Sequence, residues 1–233
     1  MNDWNNECQK KLGISFNSEL LLEQSFVHRS YLNENPNFTL PSNERLEFLG
    51  DAILDFIVAE LVYKEFPELP EGELTSSRAS LVCRETLAKM ASLLKLGDYL
   101  LLGHGEEASE GRKKQSNLAN AMEALIGALY LDQGLEKTSE FVLKQLKPFL
   151  ERVKRGETKP NYKALLQELT QRERQLTPVY HLVKTIGPDH DKQFMVEVLI
   201  GSELLGVGAG KNKKSAEIEA ARAAWEKLRT CHG

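Results

Sequence analysis

The residues best suited to chemistry lie in Asn43-Glu44-Arg45-Leu46-Glu47-Phe48-Leu49-Gly50-Asp51-Ala52-Ile53-Leu54. On a helix turning about 100° per residue, Glu44, Glu47 and Asp51 fall within an arc of about 60°. Leu46, Leu49 and Ile53 fall elsewhere and can face a core. Three like charges on one helix face repel one another, so the pattern opposes stability unless something positive sits there. Carboxylate oxygens gathered this way suit Mg2+, a hard cation that keeps several of its waters. Spacing alone leaves a plainer alternative open: a solvated acidic face.

A second segment, 118–132, adds Asn120 and Glu123, one helical turn apart. Leu118, Ala119, Met122, Ala124, Leu125 and Ile126 surround them, so a buried helix is expected. A carboxylate there needs a partner or a metal, because an unpaired buried charge is costly. Two helices presenting such groups at one-turn spacing are the ingredients of a helical metal site. Metal ions held that way can generate a nucleophile from water and clamp phosphoryl oxygens, the needs of phosphodiester hydrolysis. His28, His104, His181, His190 and His232 do not cluster with a nucleophile, so no triad and no histidine acid–base pair is expected.

A different chemistry marks the other end. Gly206-Val207-Gly208-Ala209-Gly210-Lys211-Asn212-Lys213-Lys214-Ser215 puts Lys211, Lys213 and Lys214 where the last helix should begin. Lysines at the positive end of a helix dipole make a phosphate-binding site. The glycines do not fit G-x-G-x-x-G or a Walker ending, so no nucleotide cofactor is expected. Alone, the cluster is also compatible with a solvated face.

The elements that must hold these groups read as two blocks. Ser18 opens a helix over 20–28, Ser42 caps another running towards Phe66-Pro67, and helical periodicity continues over 73–96, 116–131 and 136–150. No strand-period segment precedes residue 175, so an all-α bundle is expected. Residues 162–170 read as helical. Strands follow over 178–186 and through Phe194, Val196, Val198 and Ile200, then a Gly201-Ser202 turn leads into a strand over 203–207. An Ala-rich helix over 215–228 closes an α-β-β-β-α module, giving α+β overall. Between the blocks, 151–159 is polar, charge-dense and followed by Pro160. It reads as a linker, with domains at 1–150 and 160–230.

Composition agrees with two globular domains in 233 residues. Residues 1–159 carry 19 Lys+Arg against 25 Asp+Glu, and 160–233 carry 11 against 9. No apolar run approaches the ~20 residues of a membrane helix, and residues 1–7 show no leader, so no membrane partner is expected. Cys8, Cys83 and Cys231 are too widely spaced for a disulfide framework or a zinc site, which suits a reducing cytoplasm.

Residues 43–54 resemble the signature segment of the ribonuclease III family, and 118–132 resemble its second acidic segment. His28-Arg29-Ser30 and Glu71-Gly72 fall where bacterial members carry similar residues. The resemblance implies an all-α endonuclease domain with Mg2+, or Mn2+ in its place, held by Glu47, Asp51, Asn120 and Glu123. Asp51 and Glu123 would be central to catalysis, Glu44 and Glu71 accessory acids. Phe48 matches a residue that inserts into the partner subunit of a homodimer. The α-β-β-β-α module resembles a double-stranded-RNA-binding domain. On that match Gln167, Glu168 and His190 would reach minor grooves, while Lys211, Lys213 and Lys214 straddle major-groove phosphates.

The implied activity is cleavage of both strands of duplex RNA, leaving 5′-phosphates and short 3′ overhangs. Ribosomal RNA processing and the maturation of some messenger and transfer RNAs are the implied roles. One departure stands out: the family pattern has Asp where this chain has Asn120, which removes a charge from the ligand set. The alternative is therefore a double-stranded-RNA binder with impaired cleavage.

Overall fold

The computed structural model describes residues 3–157, 162–188 and 192–230. The chain forms two compact units, Met1–Thr158 and Lys159–Gly233. In the first, α1 (Asp3–Leu12), α2 (Glu19–Ser25) and α3 (Arg29–Glu34) precede the long α4 (Glu44–Glu65). Then come α5 (Glu71–Val82), α6 (Arg84–Leu93), α7 (His104–Ala108) and α8 (Gln115–Lys154), with short 3-10 turns at Leu96–Tyr99 and Gly111–Lys113.

The core forms where α4 packs against α8. Leu54 of α4 and Met122, Leu125, Ile126 and Leu129 of α8 are fully buried, with Phe26 beside them. Each such side chain contributes about 1.5–3 kcal/mol on leaving water. Two glycines let the helix backbones meet. A Cβ on Gly50 would lie 1.7 Å from the Glu123 carbonyl oxygen, and one on Gly127 would lie 2.2 Å from that of Leu46. This crossing sets Glu47 and Asp51 opposite Asn120 and Glu123.

Several boundaries differ from expectation. Ser42 does not cap α4. The N-cap is Asn43, while the Ser42 hydroxyl donates to Glu44 at 2.9 Å. Asn43 is buried and donates its amide to the Ser25 carbonyl at 3.1 Å, which ties the start of α4 to the end of α2. The helix expected over 20–28 ends at Ser25, and Val27 bridges Leu101 in a single parallel pair. The segment 73–96 divides because Cys83 is extended (φ −65°, ψ 151°) between α5 and α6. Gly134 (φ 78°, ψ −176°) breaks α8 between the two expected segments. Residues 151–154 are helical rather than linker: Val153 packs against the core, and Lys154 at the end of α8 pairs with Glu65 at 2.5 Å.

The second unit runs α9 (Tyr162–Arg174), β1 (Pro178–Ile186), β2 (Gln193–Ile200), β3 (Glu203–Gly210) and α10 (Lys213–Thr230). The sheet is antiparallel in the order β1-β2-β3. Val196, Val198 and Ile200 alternate inward onto Ala216, Ala220, Ala221 and Ala224 of α10. The architecture is α+β, a helical unit followed by an α-β-β-β-α module.

Candidate active site

Glu44, Glu47, Phe48 and Asp51 of α4 line one cleft of about 700 Å3, together with Ser116, Asn117, Asn120 and Glu123 of α8. His28, Arg29 and Asn43 complete the lining. Phe48 is 81% exposed at this site, so it is no part of the core.

The cleft is electrostatically strained. Glu123 is pushed up to about 7, first by burial and then by the charges of Asp51 and Glu47, against a smaller opposing pull from Arg84. Glu47 is raised by burial and by Glu44 and Asp51, while a hydrogen bond from the Asn120 amide pulls it down. Asn120 therefore meets Glu47 as a neutral neighbour. An aspartate there would be a further like charge. Among the described residues no three His, Cys, Asp or Glu side chains converge tightly enough to hold an ion as they stand. The acids are arrayed around the cleft rather than drawn to a point.

Other lining residues are already engaged. The buried Asn117 amide donates to Glu106 at 2.8 Å and to the Gly111 carbonyl at 3.0 Å, and Lys114 reaches the same Glu106 oxygen at 2.7 Å. Arg29 lies 3.8 Å from Glu44 in an exposed pair. Such a pair is worth little, so Arg29 is available to a ligand.

In the second unit Lys211, Lys213 and Lys214 are exposed at the start of α10. Asn212 fixes that start: its side-chain oxygen accepts from the Ser215 N–H at 2.9 Å. None of the three lysines has an ion-pair partner among the described residues. Gln167 is exposed on α9. Glu168 is on the same helix, with its side chain outside the described residues, and His190 lies outside them altogether.

Residues 18–150 match the family model described as Ribonuclease-III-like. The chain is 46% identical over 222 residues to Ribonuclease 3 of Dehalococcoides mccartyi, covering 95% of this chain and 94% of that one. The chain belongs to the ribonuclease III family. Ribonuclease 3 of Natranaerobius thermophilus is 47% identical over 222 residues, 95% of each chain. Among solved structures, the nuclease domain of ribonuclease III from Campylobacter jejuni superposes with a TM-score of 0.58 at 36% identity. It covers 64% of this chain and 97% of that domain. A second structure of that domain, at 37% identity and TM-score 0.57 over 61% of this chain and 95% of that one, concerns flexibility in its dimer-forming region. Residues 162–228 match the double-stranded RNA binding motif.

Of the acids and neighbours that the ribonuclease III resemblance singles out, Glu44, Glu47, Phe48, Asp51, Asn120 and Glu123 share the cleft. Glu71 does not line it; it is exposed in the first turn of α5. His28 and Arg29, noted from the sequence only within the His28-Arg29-Ser30 match, line the ribonuclease III cleft too, and Asn43, Ser116 and Asn117 line it without having been singled out. Asn43 and Asn117 carried a signal, being amides at the start of helices that bear the acids. Ser116 carried none.

Proposed function

We propose that this member of the ribonuclease III family is a metal-dependent endoribonuclease that cuts both strands of duplex RNA, leaving 5′-phosphates and short 3′ overhangs. The observation that carries the reading is the cleft itself: acids from α4 and α8 meet across the Gly50–Gly127 crossing. A module matching the double-stranded RNA binding motif follows in the same chain. A chain that binds RNA without cutting it is not favoured, because relatives matched over nearly their whole length are named as ribonucleases.

The donor set fits Mg2+, with Mn2+ able to substitute: carboxylate oxygens of Glu47, Asp51 and Glu123 and the amide oxygen of Asn120, all hard ligands. The raised Glu123 and Glu47 support this, since a bound dication would offset the burial and like-charge repulsion that disfavour their charged forms. When bound, the metal would supply a water-derived nucleophile and charge neutralisation at the phosphoryl group. Asp51 and Glu123 would fix its position from opposite helices. Glu44 would border the site, and Glu71 would act from outside the cleft.

The domain at 160–230 would deliver the duplex to the acidic domain at 1–150. Lys211, Lys213 and Lys214 would grip phosphates, and Gln167, Glu168 and His190 would reach minor grooves. The exposed Phe48 supports a homodimer in which each subunit cuts one strand. Among the described residues no helix is long and apolar enough to cross a membrane. The setting we infer is the cytoplasm, and the roles are ribosomal, messenger and transfer RNA processing.

A labelled RNA duplex incubated with this chain and with Asn120→Asp tests the reading. Both should cut in Mg2+ and neither in EDTA. Asn120→Asp should reach half-maximal rate at about tenfold lower Mg2+, because it restores a charged ligand. Tight binding by both with cutting by Asn120→Asp alone would make the chain as it stands a binder. The RNA module is tested separately. Lys213→Ala with Lys214→Ala should weaken duplex binding about 10–100-fold and reduce the slope of log affinity against log salt by about 2. An unchanged slope would remove these lysines from the interface.

A further inference from the structure

A strand lying in this cleft meets mostly acceptors: Glu44, Glu47, Asp51 and Glu123 offer carboxylates, and the Asn117 amide is already engaged. His28 is of another kind. It is the N-cap of α3, and its Nδ1 accepts from the Ser30 backbone N–H at 3.2 Å. The same Nδ1 lies 2.7 Å from the Ser30 hydroxyl. That hydroxyl accepts from the Gly103 N–H at 3.0 Å, which turns its own proton towards the ring. A backbone N–H can only donate, so Nδ1 is the bare nitrogen and the neutral ring carries its proton on Nε2.

The ring is half-buried, lines the cleft, and has no partner for Nε2 among the described residues. The charges around it come from four places: Glu106 on α7, Glu44 on α4, Arg29 on α3 and Lys114 just before α8. Burial is the largest influence and holds the imidazole below its ordinary value, in keeping with a neutral ring.

We propose that His28 presents its Nε2–H as a fixed hydrogen-bond donor to a backbone oxygen of the RNA strand in the cleft. That oxygen is a non-bridging phosphate oxygen or a ribose 2′-hydroxyl. The proposal rests on the cleavage reading of the same cleft. Its place in the site follows from the pinning of Nδ1: the Ser30 and Gly103 contacts fix the ring before substrate arrives, so the donor is preorganised.

Two substitutions separate this role from simple helix capping. Asn at position 28 keeps an acceptor for the Ser30 N–H but has no atom where Nε2 stands. Gln can place an amide N–H near that point. His28→Asn should fold, melt and bind duplex RNA like the parent chain, while its kcat falls about 10–100-fold. His28→Gln should recover part of the loss.

A duplex RNA carrying a 2′-deoxy nucleotide or a phosphorothioate at the scissile position, cut by the parent chain and by His28→Asn, identifies the acceptor oxygen. The modification that removes it slows the parent but costs His28→Asn little more. Losses that simply add for both modifications would overturn the proposal, as would His28→Asn cutting within about twofold of the parent. Imidazole 15N shifts of the full-length protein at about pH 7.5 give an answer independent of cleavage and of variant folding. Protonation at Nε2 is expected; protonation at Nδ1 overturns the proposal. A parent chain that cuts no duplex overturns the cleavage reading itself, a different result from a variant that cuts as well as its parent.

Discussion

Replacing Glu123 with Gln should abolish most cleavage and at the same time stabilise the metal-free protein. The two effects share one cause. Glu123 is held at about 7 by burial and by the facing charges of Asp51 and Glu47. An unfolded chain returns it to the ordinary carboxylate range near 4.5. The folded state thus binds the extra proton between those values, and stability falls as pH rises through that window. Above about pH 7 the whole cost is present; below about pH 4.5 none of it is. Glutamine keeps the shape and removes the charge.

In EDTA, Glu123→Gln should exceed the parent chain by about 1–2 kcal/mol at pH 8, after allowing for the solvent that still reaches this half-buried group. The difference should shrink towards zero by about pH 5. Thermal melts at a series of pH values check this, and a difference independent of pH would show that charge is not the cause. Cleavage should drop by about a thousandfold, several kcal/mol of lost metal assistance to the transition state. A variant as active as its parent would remove Glu123 from the metal site.

Much of this architecture was legible because it is periodic. Glu44, Glu47 and Asp51 share a face of α4 as a helical wheel requires, and Val196, Val198 and Ile200 turn inward from β2 as a strand requires. What escaped was set by contacts between distant segments. Asn43 displaces Ser42 as the N-cap because its side chain reaches back to Ser25, eighteen residues earlier. The strand expected over 203–207 runs on to Gly210, since glycines without Cβ let α10 lie on the sheet. A Cβ on Gly208 would meet the Ala220 nitrogen at 2.1 Å. Local propensity reads such glycines as loop. Asp3–Leu12 was missed as a helix because few of its residues are apolar: its core contacts come from Trp4, Cys8 and Leu12. Ser116 could not be found at all, for its membership of the site depends only on where α4 and α8 cross. The His28-Arg29-Ser30 segment was visible as a motif, but the fixing of its ring depends on Gly103, more than seventy residues away.

That crossing is the point at which sequence most directly controls the site, and Gly50→Ala should damage it on two counts. The new methyl group would meet the Glu123 carbonyl oxygen at 1.7 Å and the Gly127 nitrogen at 2.9 Å, both backbone atoms that cannot rotate away. Relief requires the helices to separate, opening a core of Leu54, Met122 and Ile126 that is otherwise closed to water. A loss of about 3 kcal/mol or more is expected, about 10 °C in Tm. Gly105→Ala is the matched control: nothing lies within 4 Å of its added Cβ, so stability should change by under about 1 kcal/mol. The second count is geometric. Glu47 and Asp51 sit within one turn of Gly50, and Asn120 and Glu123 are on the helix it touches, so separation pulls the ligand set apart. A displacement of about 1 Å lowers the rate by about 100-fold even in molecules that remain folded. Cleavage measured well below the variant's Tm, beside its melting curve, distinguishes the two effects. If Gly50→Ala melts like its parent, the helices do not meet as closely as described. If it melts early but cuts at the parental rate, α4 and α8 do not jointly set the site.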